Sequence, residues 1–390
     1  MKVKIVENAR VICSNRTGLH NYFGWPSVNR QPDGSLIMVA SGFRARHVCP
    51  FGKAVACYSY DEGKKWTRPT VLIDTPLDDR DAGVAVSGNR VMITSFNNTA
   101  EQQINWSAVS PSSQYFPSDS GVSLYTRKNL HGCTREYILE YLKSIDAQRA
   151  ERDFHGSTYI VSEDGGYTFG EIKRAPVTAP HGPAVGLDGR FVYVGTNFSG
   201  NIKCDNDIVC CVEGDDGEFH FIGSIENIEP IDGIYPVEGC EPHSVVLPDS
   251  KILVHIRVHN VDDGRREHTG IFTLYQCEST DGGKTFSKPH PINKDTSFGA
   301  PAHLLRLNNG ILVSAFGYRS KPYGVKVIIS DDDGTTWSDP FLIYDNNSVA
   351  LDIGYPSSVE LADGKILTVF YARPEIGAPA EIMQVIWEIE

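Results

Sequence analysis

The sequence predicts an all-β chain, a six-bladed β-propeller of four-stranded antiparallel blades forming one domain over residues 1–390, and two out-of-phase repeats carry that expectation. The first repeat is Ser-x-Asp-x-Gly-x-x-aromatic. It stands at Ser59/Asp61/Gly63/Trp66, Ser162/Asp164/Gly166/Phe169, Ser279/Asp281/Gly283/Phe286 and Ser330/Asp332/Gly334/Trp337, with a degenerate copy at Glu213/Asp215/Gly217. Each copy follows an apolar run, so each reads as the turn between two outer strands, its Asp bonding back to the turn amides. The second repeat is Pro, an alternating stretch, Asp-Gly or an equivalent pair, and an apolar run, with two shortened copies at Asp81 and His181. It reports the innermost hairpin of each blade.

Taken in chain order, Val3 to Cys13 is a strand without a local partner. The first blade begins at Trp25-Pro26 and turns at Asp33-Gly34 towards Val39. The second runs from Asp81 to Ser95 through Ser87-Gly88, and is interrupted by an insertion over about Asn97 to Phe154 with a helix-like stretch from Arg135 to Arg152. Long insertions of this kind serve as lids or as subunit contacts, so the insertion is the candidate for homo-oligomerisation. The third blade starts at His181-Gly182 and turns at Asp188-Gly189. The fourth starts at Glu241-Pro242 and turns at Asp249-Ser250, and the fifth starts at Pro301-Ala302 and turns at Asn309-Gly310. The sixth, from Tyr355-Pro356 through Asp363-Gly364 to Phe370, has too few strands after it. Val3 to Cys13 is the missing one, closing the ring so that no edge stays open.

Composition narrows the function. A net charge of −13 argues against nucleic acid or an anionic membrane as partner. Residues 1–20 lack an apolar signal core and no run reaches membrane-spanning length, so a soluble, cytoplasmic protein is expected. The nine Cys include the vicinal pair Cys210-Cys211 but no Cys-x-x-Cys, and read as core thiols. No Gly-rich loop joins a strand to a helix, so no organic cofactor is expected.

In a propeller the starts of the innermost strands converge at one end of the axis. Here that set is Gly24-Trp25, Asp79-Arg80-Asp81, His181, Glu241 with His243, His303 and Tyr355. Titratable and hydrogen-bonding groups in five of six blades point to a ligand pocket.

The Asp-type turns, the six-blade order, Glu241 at one strand entrance, Arg257 on that blade's next strand, Arg319 one blade later and Tyr355 in Asp-Ile-Gly-Tyr-Pro-Ser-Ser together resemble the sialidase superfamily. The resemblance implies an exo-glycosidase acting on a small glycoside or oligosaccharide with an acidic terminal sugar. Tyr355 would be the nucleophile and Glu241 the base that takes its proton, because a phenol near its usual pKa of about 10 is a poor nucleophile at neutral pH. Arg257 and Arg319 would hold the sugar carboxylate in bidentate fashion. The chain departs from the family pattern in two places. Trp25, in Phe-Gly-Trp-Pro-Ser, stands where sialidases have a first arginine, with Arg44, Arg46 and Arg80 as replacements. The loop Arg46 to Phe51 lacks the family's acid/base Asp. Asp79 and Asp81, flanking Arg80, are then the candidates for the general acid, followed by His47. His181, His243 and His303 are expected to bond sugar hydroxyls, and no metal site is assigned to them because their spacing matches no local ligand motif. Two other readings stay open, a glycosidase with a His- or Asp-based mechanism on a different sugar and a non-catalytic glycan-binding propeller.

Overall fold

The computed structural model describes every residue except 17, 109–130, 199, 201, 232–234, 261–269, 348 and 377, and gives backbone only for 106–108 and 131–135. Six separate four-stranded antiparallel sheets form it, each running from an innermost to an outermost strand. The first blade comprises Tyr22–Arg30, Leu36–Arg44, Lys53–Ser59 and Thr70–Ile73, and the second Arg80–Ser87, Arg90–Asn97, Gly156–Ser162 and Lys173–Ala175. The third is Ala184–Val185, Phe191–Thr196, Ile208–Glu213 and Phe219–Ile225. The fourth is Val237–Val246, Ile252–Asn260, Phe272–Ser279 and His290–Pro291. The fifth is Ala302–Arg306, Leu312–Tyr318, Gly324–Ser330 and Phe341–Asp345. In the sixth, Gly354–Glu360, Ile366–Ala372 and Glu381–Ile389 are completed on the outside by Val3–Cys13, which pairs antiparallel with Glu381–Ile389. The predicted closure of the ring by the N-terminal strand is therefore observed.

The two repeats fold as their chemistry requires. In each full copy of the Asp turn the Ser hydroxyl takes the Gly N–H at 2.8–2.9 Å and bonds the Asp carboxylate, which caps amides further along the turn. These turns also fasten blade to blade. Trp66 Nε1 donates to Gln384 at 2.7 Å, and Trp337 Nε1 donates to Gln276 at 2.7 Å. The inner hairpins turn through left-handed residues at Gly34, Gly88, Gly189, Gly310 and Gly364, with Ser250 taking the same conformation in the fourth blade. Apolar side chains of adjoining blades interlock to form the core, as where Trp25, Leu36 and Met38 meet Leu367, Val369 and Tyr371.

The insertion contains Ala100–Ala108, His131–Ser144 and Ala147–Phe154. The single helical stretch expected over Arg135 to Arg152 is broken at Asp146, whose carboxylate caps the Arg149 N–H at 3.1 Å and starts a new helix. Ile138, Leu142 and Ala150 pack on Cys49 and Leu77, and Tyr137 stacks on Phe51 at 4.6 Å. The described helices thus rest on the rim of the first two blades, and the middle of the insertion lies outside the described residues. Among the described residues no helix is long and apolar enough to cross a membrane, and the described cysteines are free.

Candidate active site

Four innermost strands share a local device at one end of the axis. Trp25, Asp81, Glu241 and Tyr355 hold equivalent positions in blades one, two, four and six, and each has a left-handed backbone, with φ of 52°, 46°, 48° and 49°. At each, the pairing with the second strand slips, between Gly24 and Ser27, Arg80 and Gly83, Cys240 and His243, and Gly354 and Ser357. The extra residues bulge out of the ladder and re-aim one side chain per blade. A non-glycine residue in this conformation costs about 1–3 kcal/mol, and fourfold repetition at one end of a channel marks a place where geometry outweighs stability.

Tyr355 and Glu241 come together there. The Tyr355 hydroxyl donates to Glu241 Oε1 at 2.7 Å, while Glu241 Oε2 accepts from Arg257 Nη1 at 2.6 Å. The same Arg257 nitrogen lies 3.3 Å from the tyrosine oxygen. Arg319 donates from Nε to the Ile353 carbonyl at 3.0 Å and reaches the Tyr371 hydroxyl at 3.3 Å, and its guanidinium stands 5.7 Å from the Tyr355 ring. Both arginines cover the ring of Phe272, at 5.0 and 5.3 Å. The electrostatics follow from the packing. Burial alone would raise the Glu241 carboxyl, but Arg257, the Tyr355 hydrogen bond and Arg319 outweigh it and hold the group below its ordinary value. Burial, then the Glu241 charge, drives the Tyr355 phenol well above its ordinary value. The pair is thus a neutral phenol donating to a fixed carboxylate.

The two aspartates expected as acids part company. Asp81 lines the cavity beside Glu241, is 4% exposed, and its Oδ1 has no hydrogen-bond partner. Burial raises it to about 7, with Arg80 opposing and Glu241 reinforcing the rise. Asp79 is instead turned into its own loop, where it accepts from the Thr75 backbone N–H at 2.6 Å and the Thr75 hydroxyl at 2.9 Å. It caps a turn and does not face the cavity, which corrects the expectation for it.

Trp25 replaces the first arginine as a buried platform. Arg80 lies over its ring at 4.4 Å and Arg44 at 4.8 Å. Arg44 is committed elsewhere, bonded to Asp78 at 2.6 Å, to Ser41 and to the His47 carbonyl, with no exposed surface. Its guanidinium is thus a buried strut between the first blade and the Asp78 loop. Arg80 makes long polar contacts, at 3.3 and 3.4 Å to His47 and 3.8 Å to Asp78, besides lying over the Trp25 ring. His47 is lowered to about 4, chiefly by burial, and its ring meets that of Trp25 edge-on at 5.0 Å.

The three histidines are adjacent around the axis. His243 is two residues beyond Glu241 on the same strand, and its ring stacks on that of His303 at 4.5 Å with His181 edge-on to both. Their Nδ1 atoms are spent on other blades, meeting the Ser27 hydroxyl, the Leu304 N–H and the Ser358 N–H. They tie blades together around the axis, and none of the three is among the residues lining the cavity beside Asp81 and Glu241. Among the described residues no group of three or more His, Cys, Asp or Glu is disposed to hold a metal ion.

Several residues of the site carry no repeat signal. Asp352 accepts from Tyr22 at 3.0 Å and from Arg373 at 3.2 Å, and Tyr371 and Phe272 form part of the same wall. Phe96 and Phe198, edge-to-face at 5.5 Å, wall the cavity next to Asp81.

Comparison with known proteins agrees with this architecture. A protein of unknown function from Dyadobacter fermentans has the same fold, with a TM-score of 0.70 at 20% identity over 100% of this chain and 99% of that one. The NanB sialidase of Streptococcus pneumoniae gives 0.62 at 15% identity over 97% of this chain and 70% of that one. The intramolecular trans-sialidase of Ruminococcus gnavus gives 0.61 at 14% identity, over 98% and 97%. No curated protein matches the chain in sequence. The model of the BNR repeat-like domain matches residues 141–368, more than half of the chain, so the chain belongs to that family, as a sialidase-like six-bladed propeller.

Proposed function

We propose that this chain is an exo-glycosidase of sialidase type, hydrolysing the terminal α-glycosidic bond of sialic acid or a related acidic sugar. One observation carries the reading, the 2.7 Å bond from the Tyr355 hydroxyl to Glu241 at the mouth of the propeller. In the first step Tyr355 Oη attacks the anomeric carbon and passes its proton to Glu241. The glycosidic C–O bond breaks, and the leaving oxygen takes the proton of Asp81. In the second step water attacks the same carbon and gives a proton back to Asp81, and the tyrosine oxygen leaves and recovers its proton from Glu241. Two displacements give retention of configuration. A neutral nucleophile suits an anionic sugar, whose carboxylate is received by Arg257 and Arg319, with Arg80 approaching from the second blade.

A non-catalytic glycan-binding propeller is the second reading. It is favoured by Trp25 at the first-arginine position and by the prior engagement of Arg257 with Glu241. Aryl α-glycosides of sialic acid, its deaminated analogue and uronic acids separate the two. The glycosidase reading expects release from a carboxylated sugar that falls at least about 10³-fold in Tyr355→Phe. Binding without release from any of them, in wild type and variant alike, overturns it.

A further inference from the structure

We infer that Cys13 and Cys57 form an oxidation-sensitive clasp across the seam of the ring, a site of reversible disulfide formation that ties the N-terminal strand to the first blade. The inference is independent of the glycosidase reading. The sixth blade is built from both ends of the chain, so its outermost strand, Val3–Cys13, holds the ring closed by hydrogen bonds and packing. Its ladder with Glu381–Ile389 slips three times, between Ile5 and Glu7, Glu7 and Arg10, and Val11 and Cys13. The ion pair at its start, Lys4 with Glu388 at 2.6 Å, is exposed and adds little. Cys13 is the one residue of that strand that is buried. The strand is therefore loosely held along its length and fastened at its end.

The end of the strand meets a second thiol. Cys57 sits in the third strand of the first blade, Lys53–Ser59, and has no exposed surface, against 4% for Cys13. Both belong to the apolar core shared by the sixth and first blades, with Met38, Val55, Tyr371 and Ile382, and the two thiols hydrogen-bond within it. That contact, then burial, pushes the Cys13 thiol well above its ordinary value. Cys13 is thus a poor nucleophile while the seam is packed, because the thiolate is the reactive form. The pair reacts when the strand end lifts and a small oxidant enters. With hydrogen peroxide, the Cys13 sulfur attacks one oxygen, the O–O bond breaks, and a sulfenic acid and water form. The Cys57 sulfur then displaces the sulfenic oxygen as a second water and makes the S–S bond. In all, two thiols lose two electrons and two protons, and one peroxide becomes two waters. The pair visible in the sequence, Cys210-Cys211, has no such geometry, since strand alternation sends its side chains into different cores. Trp25 of the first blade and Tyr355 of the sixth meet at 6.4 Å across the same seam, so the clasp holds two walls of the candidate site together.

Peptide mapping of the full chain tests this. The reduced protein is treated with hydrogen peroxide, its remaining thiols are alkylated, and it is digested without reductant. A peptide linked through Cys13 and Cys57 should appear and be lost again with dithiothreitol. Its yield should rise severalfold in urea kept below the unfolding transition, which lifts the strand end. The linked protein should melt roughly 3–8 °C above the reduced form, because the bridge closes a long loop of the unfolded chain. Cys13→Ser and Cys57→Ser should each abolish the linked peptide and the shift, and Cys13→Ala replaces the serine variant if that one does not fold. Cys13 oxidised to sulfinic acid with no link, a link between other cysteines in its place, or no reaction of either thiol even in urea overturns the inference. So does a linked form that melts at or below the reduced one. The wild-type map and melting curves decide between these outcomes even where no variant folds.

Discussion

Replacing Asp81 by Asn tests the chemistry of the acid without emptying its position. Raising a carboxyl group from near 4 to about 7 corresponds to about 4 kcal/mol of work against ionisation, supplied first by burial and then by Glu241. With Glu241 held below its ordinary value, the base is ionised and the acid protonated from the ordinary carboxylate range up to about pH 7, so wild-type kcat/KM should be level over that window and fall above about pH 7. In Asp81→Asn the rate on a glycoside with a sugar leaving group should drop roughly 10²–10⁴-fold at pH 6, and the fall near pH 7 should vanish. A nitrophenyl leaving group, which needs little protonation, should be spared most of that loss. Stability must move the other way. The folded-state value lies above the unfolded one, so the stability linked to this group is present below about pH 4 and lost as pH rises through about 7. Asp81→Asn should therefore raise the unfolding midpoint at pH 8 and change it little at pH 4. A variant that keeps the wild-type alkaline limb, or that loses nitrophenyl and sugar substrates equally, would refute the assignment of Asp81 as the acid.

Three further outcomes follow from the same geometry. Arg257→Met removes the strongest charge that keeps Glu241 ionised, so the acid limb of the rate profile should climb by at least about one pH unit, and urea unfolding should report a loss of about 1–3 kcal/mol. Burial lowers His243 to about 3, so its contribution to stability is present above the unfolded value of about 6.5 and is lost as pH falls below it. His243→Asn keeps an acceptor for the Leu304 N–H but does not titrate, and should lessen the fall in stability between pH 6.5 and 4 by up to about 1.4 kcal/mol per pH unit, read from urea midpoints. Trp25→Ala removes the surface under Arg80, and should raise KM for an acidic glycoside several-fold more than it lowers kcat.

The architecture was legible because repeats impose it. Six hairpins and four full Asp turns dictate six blades, and the unpaired stretch Val3 to Cys13 had only the incomplete last blade to join. Tyr355 and Glu241 came together in the sequence reading for the same reason, since equivalent repeat positions meet at the axis, whereas Arg257 entered only through the resemblance to the sialidase superfamily. Asp79 and Asp81 could not be told apart from spacing, because strand alternation places residues two apart on one face. The left-handed bulge at Asp81 breaks that alternation and sends Asp79 back to Thr75. His243 follows its bulge by two residues and so belongs to the layer that joins blades, alongside Ser27 and Ser357, a role that spacing alone does not announce. Arg44 and Arg80 looked interchangeable until Asp78 claimed the first. Tyr371, Phe96 and Phe198 stand outside both repeats, and nothing in their local sequence sets them apart from packing residues, while Asp352 opens the Asp-Ile-Gly-Tyr motif without any signal of its partners Tyr22 and Arg373.

The central claim is that Tyr355 becomes covalently attached to the sugar, and trapping tests it most directly. A sialyl fluoride bearing a second fluorine beside the anomeric carbon slows the hydrolytic step more than the first, so the glycosyl-protein should accumulate. Peptide mass spectrometry is predicted to find the sugar on Tyr355 in wild type and no adduct in Tyr355→Phe. An adduct on another residue, or turnover with inverted configuration and no adduct, would contradict the account.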